Sequence, residues 1–145
     1  MKLIIVFGAL AIFGGLAYTM WPTDDLSNGT VAVDKKVAEG ALANVLLPDI
    51  LSQNAQMGKL AFEVKCVSCH GTNAAGQAGV APPLVHIIYE PKHHGDESFQ
   101  RAAALGVRAH HWSFGNMPAI EGLTRADVKM IIAYIRELQR ANGIN

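Results

Sequence analysis

Apolar residues fall along this chain in distinct patterns, and each predicts a different kind of element. Residues 3–21 form a run of 19 without a charge, apolar on every side rather than along one stripe. As a helix this run is about 28 Å long, close to the thickness of a bilayer's hydrocarbon core. From Thr124 onwards the spacing is helical and one-sided: Val128, Ile131, Ile132, Ile135 and Leu138 share a face, and Gly143 lies beyond its end. A second helix is predicted from an N-cap at Ser52 through Met57, Leu60, Ala61 and Val64 to Cys66, and a third over residues 98–107. No segment alternates as a strand would, so the predicted fold class is all-α.

The intervening stretches are punctuation. Residues 22–29 are rich in Pro, Thr, Asp, Ser, Asn and Gly, which turn and solvate rather than pack. Residues 31–47 carry scattered apolar positions, interrupted by Gly40 and closed by Pro48, and read as weak helix or disorder. Residues 71–83 are rich in Gly, Ala, Asn and Pro and predict an extended loop. The predicted organisation is a transmembrane anchor or signal peptide at 1–21, an acidic linker at 22–51 and one folded domain at 52–145.

Flanking charge orients the first segment. Lys2 precedes it, Trp21 sits at its far end as an interfacial residue, and Asp24 and Asp25 follow. That arrangement favours a cytoplasmic N-terminus and an exported domain. A cleaved signal peptide, with Gly15 and Ala17 before the cut, competes with the anchor. The first reading puts the domain on the periplasmic side of a bacterial inner membrane, held by one span; the second leaves it soluble in the periplasm.

Overall charge excludes one class of function. Lys plus Arg and Asp plus Glu are 12 each, so no strongly basic face is available for nucleic acid. The linker is acidic and the domain faintly basic, a contrast too small to define a partner.

The chemistry is concentrated in Cys66-Val67-Ser68-Cys69-His70, a Cys-X-X-Cys-His sequence with the spacing used for covalent attachment of c-type haem. Two cysteines three apart can form thioethers with both vinyl groups on one ring edge, and the adjacent His70 can turn Nε2 to the iron. A redox dithiol would call for a βαβ context, which is missing. A structural zinc site needs four ligands, and Cys66 and Cys69 are the only cysteines. One haem c is therefore the predicted cofactor, with Cys66, Cys69 and His70 binding it.

A second iron ligand should lie far along the chain, in a loop before the last helix. Met117 is placed there, next to Pro118, whereas Met57 and Met130 fall inside predicted helices. A thioether opposite His70 raises the potential relative to harder ligands. His110 and His111 compete for the same role, which would give a bis-His iron of lower potential.

These residues resemble class I cytochrome c over about residues 52–143. Gly58 and Phe62 precede Cys66 as a Gly and an aromatic precede the first Cys in that family's first helix. Ile131 and Tyr134 match the positions on which that helix packs. Ala81-Pro82-Pro83-Leu84 is similar to the family's Pro-X-Leu, by which Pro82 would orient His70 through its carbonyl and Leu84 would line the haem pocket. The resemblance implies a cytochrome c fold and an electron carrier cycling between Fe(II) and Fe(III), with no catalytic residues. Its partners would be redox proteins: a membrane dehydrogenase or bc-type donor, and an oxidase or reductase acceptor. A haem enzyme of peroxidase or reductase type, or a haem sensor or subunit of a larger redox complex, is the alternative.

The departures from that family pattern are residues 89–97 and His110-His111-Trp112. His93, His94 and Asp96 have residue types that suit a second metal, but a solvated surface loop is the expected reading. Trp112, Arg108 and Arg101 are candidate donors to a haem propionate.

Overall fold

The computed structural model describes residues 40–145; the predicted span at 3–21 and residues 22–39 of the linker lie outside them. Ser52 opens α1 (Gln53–Lys65), its Oγ accepting from Ala55 N at 3.3 Å. Cys66 N donates to Phe62 O and closes the helix, after which the chain makes the single turn α2 (Val67–His70). Then come α3 (Asp96–Leu105) and α4 (Arg125–Ala141), with short 3-10 turns at Thr72–Ala74 and Ile87–Tyr89. The described residues are mostly helical and contain no strand, only the isolated bridges Gln77–Ala81 and Val107–Met117. None of their helices is long and apolar enough to cross a membrane.

The face of α1 that turns inward is not the one its large apolar residues suggest. Met57, Leu60 and Val64 are 52%, 60% and 78% exposed, while Ala55, Gly58 and Phe62 are buried. The reason is backbone proximity to α4: a Cβ at Gly58 would lie 1.8 Å from Met130 O and 2.9 Å from Ile131 N. Only small residues allow that crossing, so larger side chains on the remaining turns are left outside. One helical turn on, Phe62 meets Tyr134 edge to face, with ring centroids 5.7 Å apart. Ala74, Val85, Ile131, Ile135 and Leu138 complete this core.

The loop expected at 71–83 is more structured than extended. Asn73 and Ala74 both adopt left-handed backbone, at φ 56° and 58°. Asn tolerates that conformation, and its Oδ1 accepts from the Tyr134 phenol at 3.2 Å. Burial pushes that phenol up to about 12, with a smaller contribution from Glu63. Ala74 O accepts from Leu84 N, and Gln139 on α4 donates to Leu84 O, so the loop is fastened at both ends to the core.

Residues 40–51, at the end of the predicted linker, are irregular rather than helical and are bonded to the folded domain. Leu42 N and Ala43 N donate to Ala75 O, and Leu46 exchanges two hydrogen bonds with the Asn142 side chain. Gly40 and Pro48 disfavour helix here, and hydrogen bonds to distant residues satisfy the backbone instead.

Helix α3 starts two residues earlier and ends two residues earlier than its apolar spacing indicates. Asp96 and Glu97 fall in its first turn, where the helix dipole favours acids, and Gly106 ends it at φ 76°.

A capping box opens α4: Thr124 Oγ1 accepts from Asp127 N, and Asp127 Oδ2 accepts from Thr124 N. Thr124→Ala is expected to lower stability by about 1 kcal/mol, measured by urea unfolding. The Thr124 hydroxyl, and then its backbone N–H, hold the Asp127 carboxyl below its ordinary 3.8. A depressed carboxyl pKa gives stability that is present above the unfolded value and is lost as pH falls. The difference between wild type and Thr124→Ala should therefore shrink below about pH 4; an undiminished difference would exclude the charged cap.

Candidate haem site

The turn α2 begins where α1 ends, and this junction displays Cys66, Cys69 and His70 together. They line a cavity of about 570 Å³ whose walls also include Pro82, Leu84 and Met117. That volume falls in the range of small-molecule and cofactor sites, roughly 300–1,000 Å³. Much of the remaining wall is apolar, with Phe99 from α3, Ile120 and Leu123 from the segment before α4, and Val128, Ile131 and Ile135 from α4 itself.

His70 is positioned by one contact. Its Nδ1 lies 2.9 Å from Pro82 O. A carbonyl only accepts, so Nδ1 carries the hydrogen and Nε2 keeps the free lone pair that a metal needs. Burial lowers the imidazole below its ordinary value, and the Pro82 carbonyl opposes that. Neutral imidazole, the ligating form, is thus favoured.

Cys66 and Cys69 are free thiols, the first half-buried and the second exposed. Burial, and secondarily Cys69, pushes the Cys66 thiol up to about 11. A redox dithiol requires the opposite, an attacking sulfur with a lowered pKa.

Met117 is held by more than the neighbouring proline. Its N–H and carbonyl pair with those of Val107 at 3.0 and 2.9 Å, and Asn116 Oδ1 accepts from Ala109 N at 2.9 Å. Gly106 allows the pairing, because a Cβ there would lie 2.5 Å from Met117 O. Gly106 and Asn116 are supporting residues that sequence reasoning missed. A glycine directly after a helical stretch and an asparagine next to the candidate ligand are the only traces they leave in the sequence.

The cavity wall also includes Arg101, Arg108, His93, His94, His110, His111 and Trp112. The buried indole N–H of Trp112 has no hydrogen-bond partner among the described residues. His110 and His111 pack on His93 and His94. Partial desolvation, and then the neighbouring His110, His94 and His93, hold His111 below the ordinary imidazole value.

The cytochrome c family model matches residues 55–139, more than half of the chain. The chain belongs to the cytochrome c family. Searches of curated proteins and of solved structures give no match. Membership implies covalently bound haem c and a haem-binding electron carrier. The cytochrome c site fits that group in its donor chemistry: two thiols at thioether spacing, an imidazole with its lone pair fixed, a thioether on a pinned segment, and an unpaired buried N–H suited to a carboxylate.

Proposed function

We propose that this cytochrome c is a one-electron carrier in which His70 and Met117 would hold the haem iron and Cys66 and Cys69 would attach the haem covalently. The observation that carries the reading is the single cavity lined by all four, with His70 Nδ1 engaged by Pro82 O. When bound, haem supplies the Fe(II)/Fe(III) couple. The chain's own residues hold and tune it. Pro82 fixes the His70 tautomer, Leu84 and the apolar residues of α3 and α4 keep water from the ring, and the Val107 pairing positions Met117. Trp112, Arg101 and Arg108 supply donors for the propionates.

The domain works on the periplasmic face of a bacterial inner membrane, in a respiratory or related redox chain. Support for this comes from the uncharged run at 3–21 and the acids that follow it. Tethering raises the domain's effective concentration for a dehydrogenase or bc-type donor and an oxidase or reductase acceptor in the same membrane.

The test is the visible spectrum of the haem-loaded chain. A c-type reduced spectrum, with a weak long-wavelength ferric band that disappears in Met117→Ala, is expected. A band that is absent, or unchanged by the substitution, would remove Met117 as a ligand and bring His110 and His111 forward. Ferrous wild type should bind carbon monoxide poorly and Met117→Ala readily, because the variant removes the thioether that would hold the iron against an incoming ligand.

A further inference from the structure

Four of the six histidines come together on one side of the haem cavity, from two segments far apart in sequence. His93 and His94 precede α3, and His110 and His111 lie between Val107 and Met117. Ring centroids are 4.7 Å apart for His93 and His94, 5.4 Å for His93 and His111, and 5.2 Å for His94 and His111. One ring nitrogen from each of these three lies within 4.8 Å of the others. A solvated loop predicts rings that point apart into water, and these converge.

Two further contacts prepare the cluster. His94 Nδ1 lies 2.6 Å from Ile88 O, and the carbonyl forces the hydrogen onto Nδ1 and leaves Nε2 with its lone pair. A metal-bound histidine is typically oriented in this way. The His94 carbonyl in turn accepts from the buried Arg136 guanidinium at 2.6 Å, which fixes the loop backbone to α4. Asp96, the acid that sequence spacing offers as a third donor, is bonded to Arg136 Nε instead. His111 takes its place beside the pair.

We propose that His93, His94 and His111 bind one first-row divalent ion, Zn(II) or Cu(II), at a site separate from the haem iron. Three neutral imidazoles suit either ion and leave a fourth position for water. Tetrahedral zinc needs nitrogens about 3.3 Å apart. His94 is fixed, and the exposed His93 and His111 close the remaining distance by side-chain rotation. A bound ion would join the loop held on α4 to the segment that carries Met117.

The experiment uses the haem-loaded full chain, stripped with chelator, desalted and titrated with Zn(II) against a chromophoric chelator; Cu(II) is titrated in parallel. One ion per chain is expected, with affinity lowered at least about tenfold in His111→Ala and in His93→Ala, while His110→Ala stays within a few-fold. An unchanged haem spectrum in each variant shows that the fold is intact and separates this result from the axial-ligand reading. Sub-stoichiometric uptake, affinity unaffected by His93→Ala or His111→Ala, or a loss confined to His110→Ala would each overturn the proposal. Uptake of only one of the two ions identifies which the site selects and supports it.

Discussion

Gly58→Ala is expected to destabilise this cytochrome c by about 3 kcal/mol or more. The sign is what makes the result informative. In an isolated helix the same change stabilises by about 1 kcal/mol, because alanine is the better helix former. Here the added methyl would sit 1.8 Å from the Met130 carbonyl oxygen and 2.4 Å from its carbon, both backbone atoms inside α4. No side chain can rotate away to make room, so α1 and α4 must move apart. That separation loosens the Phe62–Tyr134 contact and the core around Ile131 and Ile135. Denaturant unfolding of the haem-loaded protein measures the effect. Leu60→Ala serves as the control: that side chain is 60% exposed, and its loss should change stability by no more than about 0.5 kcal/mol. A Gly58→Ala protein as stable as wild type would show that the helices do not cross in contact.

The second large effect is expected at Arg136, which is 7% exposed. Its guanidinium donates to Tyr89 O at 2.7 Å, His94 O at 2.6 Å, Gln139 Oε1 at 2.6 Å and Asp96 Oδ1 at 3.0 Å, and lies 5.0 Å from the Phe99 ring centroid. Arg136→Met keeps much of the volume but leaves these acceptors without their donor, at a cost of about 3 kcal/mol. The ion pair is the lesser part, because the Asp96 side chain is 68% exposed and solvent screens it. Asp96→Asn should therefore cost less than about 1 kcal/mol. Hydrogen exchange resolved by residue distinguishes the two mechanisms: Arg136→Met should lose protection over residues 88–99, and Asp96→Asn should not. Equal losses in both variants would mean that the charge pair, rather than the carbonyl bonds, holds this segment.

These residues also mark the limit of what was legible in the sequence. Nothing in the sequence singles out Arg136, and residues 89–97 stand only as a departure from the family pattern, with His93, His94 and Asp96 expected in a solvated loop. Each supplies what the other lacks, a buried cation and a set of carbonyl acceptors. The two lie about forty positions apart, so no local pattern connects them. The same holds for the four histidines, which read as two separate pairs until the fold brings them into contact. In α1 the crossing was legible only through the resemblance that set Gly58 and Phe62 against Ile131 and Tyr134, and local spacing did not show that it leaves Met57, Leu60 and Val64 outside.

By itself the sequence determined what depends on neighbours along the chain. Cys66, Cys69 and His70 are brought together by one helical turn, so their spacing pointed to haem c once the missing βαβ context and the absence of other cysteines set the dithiol and zinc readings aside. Ser52 and Thr124 cap the helices that follow them, and the 3.6-residue period marks the buried face of α4. Tertiary structure decided everything that depends on how closely two elements approach. The Gly58 crossing chose the buried face of α1, Arg136 anchored residues 89–96, the Val107 pairing held Met117, and the loops gathered His93, His94 and His111. The physical reason is that helical hydrogen bonds and caps join residues only a few positions apart. Steric exclusion and burial act between whatever surfaces the folded chain brings into contact.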